Sequence, residues 1–353
     1  MKSKVPGKLF IAGEFSILSK ESTAILVSVS KFIYVDITEN SNYEFESELG
    51  HFRWILDEDK IPVLDYKDFK HVKAAIFMAH KYLNHLKIEP KTYNIKLNSE
   101  LEEQGNKYGL GSSAASLVGV LRAILNLHQV RPTKLELFKL AVMTQLEIND
   151  LSSGADLATV IYTGWVYYKK YDLAWLYQKD KSAFELIEEE WPSLKIEILP
   201  VINYRVLVGW TKKASSSSDT IQKLESRNLN DSWYKDFLAK ANKIVLAFKK
   251  ELLIDNNTDK IYQLTEDYQN LLNELENWSE IKIMTPELTM LNKISKNSNL
   301  VSKVSGSGGG DCGICVVQNN FSHIIEEKIA KNWQNSDIKP LKLEVWSDKN
   351  ERN

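Results

Sequence analysis

Strands and helices that mix without strict alternation predict an α+β fold for this 353-residue chain. Three observations carry that expectation. Residues 24–37 are rich in Val and Ile, with Val27, Val29 and Phe32 punctuating a polar pattern, so the first 40 residues read as strands. Ala114, Leu117, Val118, Leu121 and Leu125 form an apolar stripe at helical spacing directly after a glycine turn. The second half carries several long helical patterns and closes on a glycine-rich turn followed by a strand. The length suits two compact domains, each with chain enough for a core.

The elements follow in order. Asp68 is the expected N-cap of a helix whose Val72, Ile76, Ala79, Leu83 and Leu86 share one face. Tyr93, Ile95 and Leu97 alternate, which predicts a strand over 92–97. Thr133 and Glu136 stand in capping-box positions behind Pro132 and open a helix running towards Ile148. Residues 160–171 read as strand. Pro192 and Pro200 mark a boundary, so domains are expected over 1–198 and 199–353. Beyond it come a strand over 205–210, a serine run, and helices over 233–250 and 259–275. A further helix opens with Thr285 as N-cap and Pro286 at its first position. A helix over 322–333 and a strand near 341–345 end the chain. No internal repeat is visible.

Composition excludes several classes. A formal net charge of −2 gives no basic field for nucleic acid. No run of about 18 apolar residues is present, so no membrane helix is expected. Lys2 and Lys4 hint at a signal peptide, but Glu14 interrupts the short apolar stretch 9–12. Cys312 and Cys315 are the two cysteines, too few to complete a zinc site alone. On a strand, positions i and i+3 face opposite ways, so the pair reads as inert buried thiols. Low cysteine usage without a targeting segment fits the cytoplasm.

Five segments carry chemistry. In Lys107-Tyr108-Gly109-Leu110-Gly111-Ser112-Ser113-Ala114, two glycines let backbone approach a bulky anion. The serines then sit at a helix start, where free N–H groups and the helix dipole favour phosphate. Serine hydroxyls add hydrogen bonds or reach Mg²⁺, and Ser113 is the candidate metal ligand. An ordinary capped turn explains one glycine and one serine of this run, not the whole. Residues 306–313 hold five glycines in eight positions and lead straight into a strand. Composition alone leaves that loop either flexible or substrate-facing. Ser153-Gly154-Ala155-Asp156 projects an acid after a glycine; read alone, Asp156 is a helix N-cap. Lys8, read alone, is a solvated edge lysine. Residues 210–218, with Lys212, Ser217 and Ser218, suit either a polar linker or an anionic substrate.

Together and in this order, these segments resemble the GHMP kinases. Pro6-Gly7-Lys8, the loop at 109–115 and the loop at 305–313 match the three family motifs, with an SGxD segment at 153–156. Within the superfamily the chain is most similar to the bacterial phosphomevalonate kinases. The discriminating segments are Gly209-Trp210-Thr211-Lys212 and Gly308-Gly309-Gly310-Asp311-Cys312-Gly313. Mevalonate kinases typically carry His where Phe15 stands, and diphosphomevalonate decarboxylases have an Asp-Ala-Gly-Pro-Asn motif that is absent. Two departures stand out. Phosphomevalonate kinases often have Tyr at the position of Phe15, and mevalonate kinases have Pro at that of Ser152.

The resemblance implies an N-terminal domain of the ribosomal-protein-S5 type, a ferredoxin-like C-terminal domain and a site between them. It implies transfer of the ATP γ-phosphate to (R)-5-phosphomevalonate with Mg²⁺, by a monomer or homodimer. ATP falls to Lys107, Gly109, Leu110, Gly111, Ser112, Ser113 and Ala114. The acceptor falls to Lys8, Ser153, Lys212, Ser217, Ser218, Gly308, Gly309 and Gly310, and catalysis to Lys8 and Asp156. A phosphomonoester with its second pKa near ~6 is already mostly ionised at neutral pH, so a base has little proton to remove. Bringing two polyanions together is the harder problem, costing several kcal/mol at an effective dielectric of about 20. Lys8 is therefore expected to cancel charge and Asp156 mainly to orient Lys8. Mevalonate kinase is the nearest alternative. A non-catalytic sensor of the same fold would be expected to lack Lys8 or Asp156.

Overall fold

The computed structural model describes the chain except residues 151, 178–180, 201, 214–216, 228 and 349–353; for 217–219 and 225 it describes only the backbone. Two sheets organise it. The first runs Lys195–Leu199, Trp165–Lys169, Thr23–Glu39, Tyr93–Ser99, Tyr43–Ser47, Gly50–Leu56 and Pro62–Val63. The strand Lys2–Ala12 also pairs antiparallel with Thr23–Glu39. The helix Ser112–Leu127 packs on Lys2–Ala12 and Thr23–Glu39, between Lys70–His85 and Ala155–Tyr162. The expected stripe Ala114, Leu117, Val118, Leu121 and Leu125 is fully buried there.

The second sheet is antiparallel in the order Lys303–Ser305, Cys312–Gln318, Tyr204–Trp210 and Lys339–Leu341. Gly209 and Gly313 lie opposite one another in register. Leu291, from the helix Pro286–Lys296, fills the space they leave: a Cβ would lie 2.6 Å from it at Gly209 and 2.9 Å at Gly313. Cys312 faces the larger core and Cys315 a smaller one around Leu291 and Trp333, the opposite-face arrangement expected. Burial raises both thiol pKa values, Cys315 to about 12. The chain end returns to the first sheet, where Trp346 N–H donates to Ser28 O at 2.9 Å and Val345 bridges Val29.

Caps are as expected at Thr133, with its full capping box, and at Thr285 ahead of Pro286. Two local expectations are corrected. The helix Lys70–His85 starts after Phe69, at φ 56°, and not on an Asp68 cap. Phe69 is drawn into an aromatic cluster with Phe45 and Phe52, ring centroids 5.2 and 5.8 Å away, and that packing overrides the cap. Residues 160–162 end the helix Ala155–Tyr162, and the strand covers only Trp165–Lys169. Gly164, at φ 80°, separates the two, and Leu157, Ala158 and Ile161 are buried at helical spacing. Among the described residues no helix is long and apolar enough to cross a membrane.

Candidate active site

The glycine-serine turn opens the helix Ser112–Leu127 as its pattern predicts. Gly111 is the N-cap, at φ 80°, and gives the first turn no side-chain cap. The first amides are thus left for a ligand. Lys107, Ser112, Ser113 and Ser116 border a cavity of about 720 Å³, whose apolar wall includes Ile33, Phe45, Leu49, Phe69 and Leu97. A larger cavity of about 1080 Å³, beside Arg205 and Trp333, contains none of the predicted site residues.

Lys8 reaches this turn from the strand Lys2–Ala12. Its amide donates to Leu110 O at 2.9 Å. Its side chain lies across Gly111, where a Cβ would sit 2.8 Å from Lys8 Cε. Only glycine permits that approach, and φ 80° demands glycine as well. The ammonium ends 3.3 Å from Asp156 Oδ2, with Lys8 buried and Asp156 more open to the cleft. Asp156 is not the helix N-cap. That position belongs to Gly154, at φ 80°, and Asp156 in the first turn is free to face Lys8. Tyr168 secures the loop before it by donating its hydroxyl to Ser153 O at 2.8 Å. Ser153 Oγ accepts the Ala155 N–H at 3.2 Å.

The two glycine loops meet here. A Cβ on Gly109 would lie 2.5 Å from Asp311 Cγ, so the glycine-serine turn is fitted against that carboxylate. Cys312 Sγ donates to Tyr108 O at 3.1 Å, and the Tyr108 ring stands edge-on to Trp210 at 4.6 Å. Burial, reinforced by Glu103, pushes the Tyr108 hydroxyl up to about 12. The loop Gly308–Gly309–Gly310 is seated on backbone: Gly309 N–H donates to Ile283 O at 2.8 Å and Asp311 N–H to Lys213 O at 2.7 Å. Lys212 follows Trp210 and Thr211 into this region, but its ammonium pairs with Asp337 at the surface. The side chains of Ser217 and Ser218 lie outside the described residues.

Sequence reasoning missed two features. One is the apolar cavity wall: Phe45 lies outside the expected elements, and Phe69 follows the expected cap Asp68 at the helix start. The other is an ion pair between Lys303 and Glu14, with side chains 0% and 1% exposed. Burial pushes the Lys303 ammonium below the usual lysine range, against the pull of Glu14. The signal available was a lysine opening the short strand Lys303–Ser305, directly before Val304.

The family model for the GHMP kinases N terminal domain matches residues 70–164, and that for the GHMP kinases C terminal matches 250–335, about half the chain together. The chain belongs to the GHMP kinases. It is a homologue of the phosphomevalonate kinase of Streptomyces sp. (strain CL190), 27% identical over 357 residues, covering 96% of this chain and 95% of that one. A crystal structure of a Listeria innocua protein superposes with a TM-score of 0.90 at 29% identity, covering 97% and 96% of the two chains. Streptococcus pneumoniae phosphomevalonate kinase, in complex with phosphomevalonate and AMPPNP, gives 0.85 at 26% identity, covering 98% of this chain and 100% of that one. Both sheets and the helices around them therefore form the two-domain GHMP kinase fold.

Proposed function

We propose that this kinase transfers the γ-phosphate of ATP to 5-phosphomevalonate. The observation that carries the proposal is Lys8: a buried cation laid over the phosphate turn at Gly111, 3.3 Å from Asp156, with both glycine loops beside it. Phosphoryl transfer needs positioning and charge neutralisation more than covalent help. Lys8 bridges the two phosphates and offsets their repulsion. Asp156 orients Lys8 and, with an acceptor already ionised, has little proton to take. The apolar wall around Phe45 and Phe69 suits a base, and Lys107, Ser112 and Ser113 suit the phosphates.

A Mg²⁺ ion fits the donor set. Ser113 offers a hydroxyl oxygen, and the described residues hold no cluster of three His, Cys, Asp or Glu. That suits an ion which keeps waters and leans on substrate phosphates for its remaining ligands. When bound, it neutralises charge on the β- and γ-phosphates.

Gly308 to Gly310 and Ser153 face the acceptor in this reading. Lys212 reaches it by giving up Asp337, a surface pair that costs little to exchange. The domains divide at 198/199, with ATP bound mainly by the first; the enzyme works in the cytoplasm as a monomer or homodimer. A coupled assay with ATP, Mg²⁺ and mevalonate, phosphomevalonate or galactose tests the assignment. Turnover with phosphomevalonate alone is expected. Preferred turnover of mevalonate overturns it, and no turnover of any favours a ligand-binding role.

A further inference from the structure

The outer edge of the strand Lys2–Ala12 carries both glycine loops. Its inner edge pairs with Thr23–Glu39. On the outer edge, Lys8 N–H donates to Leu110 O at 2.9 Å. Two residues on, Phe10 N–H donates to Ser305 Oγ at 2.9 Å, and the same hydroxyl donates back to Phe10 O at 3.1 Å. Amides two apart on a strand leave by the same edge. One short stretch of backbone therefore holds Leu110, beside Gly111, and Ser305, beside Gly306.

Just past this edge lies the buried pair. Lys303 Nζ donates to Glu14 Oε1 and to Val304 O. Glu14 Oε2 is buried without a hydrogen-bond partner. Glu14 O accepts both the Ser16 N–H at 2.6 Å and the Tyr268 hydroxyl at 3.0 Å. Between Glu14 and Ser16, Phe15 stands at φ 59°, ψ −49°, a rare and strained three-residue turn. A buried ion pair with an unpartnered oxygen beside a strained turn is a poor source of stability. Desolvation offsets its attraction, and apolar replacement of both partners is often neutral or better.

We propose that Glu14 and Lys303 are positioning residues, whose ion pair sets the register at which the loop 306–310 meets the strand bearing Lys8. The pair ties the end of that strand to the residue two before Ser305, so a slip at either end moves the loop relative to the ammonium. The kinetic part of the test rests on the phosphomevalonate kinase reading; the exchange part does not.

The test compares Glu14→Leu, Lys303→Met and the double variant, in which both partners are apolar, by kcat, KM for ATP and phosphomevalonate, melting temperature, and amide exchange at Lys8 and Phe10. Each single variant leaves a buried group uncompensated and melts lower; the double regains the wild-type melting temperature. In the double, kcat stays about tenfold or more below wild type, with each KM within about threefold. Phe10 exchanges faster while Lys8, held by Leu110, does not. If kcat returns together with melting temperature, the pair is merely structural and the proposal falls. If the charge variants do not fold, Ser305→Ala decides: it removes both bonds to Phe10 without touching a charge. Lower kcat with faster Phe10 exchange is expected, and wild-type kcat overturns the proposal. If wild type does not phosphorylate phosphomevalonate, the functional reading fails by itself. Exchange at Phe10 in the folded variants still decides the proposal, and wild-type protection there overturns it.

Discussion

The two glycine loops are fitted to different supports. At Gly109 and Gly111 the missing Cβ makes room for charged side chains, Asp311 at 2.5 Å and Lys8 at 2.8 Å. At Gly308 and Gly310 it makes room for backbone carbonyls, Ile283 O and Lys213 O, each at 2.6 Å. The end of a lysine can swing away from an intruding methyl; a carbonyl built into the chain cannot. The first loop is thus shaped around two charged side chains, Asp311 and Lys8, and the second around the scaffold that holds it. Damage to the first is expected to appear as lost rate and damage to the second as lost stability.

The largest effect breaks the first loop at its charge. Lys8→Met is expected to lower kcat/KM about a thousandfold, as removal of a charge-stabilising group at a transition state does, with little change in melting temperature. Asp156→Asn, which leaves Lys8 in place, is expected to lose about ten- to a hundredfold, the cost of misplacing a reacting group. Steady-state kinetics decide the order. A heavier loss in Asp156→Asn, partly rescued at alkaline pH, returns Asp156 to the role of base.

The next effect sets the two loops directly against each other. Gly111→Ala and Gly310→Ala both place a side chain at positive φ, 80° and 149°, at a strain of order 1–3 kcal/mol. What differs is the neighbour. Gly111→Ala displaces Lys8 Cε and is expected to cost about a hundredfold in kcat beyond that strain. Gly310→Ala meets Lys213 O and is expected to lower the urea midpoint much further while leaving kcat of the folded fraction within a few-fold. Equal behaviour in the two variants removes the distinction drawn here.

This contrast also explains how far the sequence could be read. Both loops were visible because glycine runs ahead of a helix or strand are local features, and Thr133, Thr285 and the stripe from Ala114 to Leu125 are equally local. Phe69 displaced the Asp68 cap because its partners, Phe45 and Phe52, come from strands well before it. Glu14 reads only as the charge that interrupts the apolar stretch 9–12, since its partner Lys303 stands 289 positions away. The 3.3 Å contact between Lys8 and Asp156 joins a strand to a helix start across 148 positions, and only the resemblance to a family paired them beforehand. Periodicity reports faces of elements; it does not report which faces meet.

The smallest effect lies outside both loops and serves to grade them. His80 is buried, with Nε2 2.8 Å from the Tyr93 hydroxyl and Nδ1 3.3 Å from Lys60 O. Burial pushes its pKa down to about 4, with the charge of His128 adding to the shift. The folded protein thus keeps His80 neutral where the unfolded chain, at about 6.5, takes up a proton. The unfolded state binds more protons, so stability is full above about pH 6.5 and falls as the pH drops towards 4. From pH 7 to 5.5 the loss from His80 is about 1 kcal/mol, measurable as a shift in urea midpoint that His80→Gln reduces, while His128, also lowered by burial, keeps its own share. A loss of that size matters only to a protein already near its threshold. Gly310→Ala, weakened in its scaffold, is therefore expected to lose folded protein and activity together at pH 5.5. Gly111→Ala, with an intact scaffold, is expected to stay folded and slow at both pH values. Urea titrations of the two variants at the two pH values separate the loop that carries the charges from the loop that carries the fold.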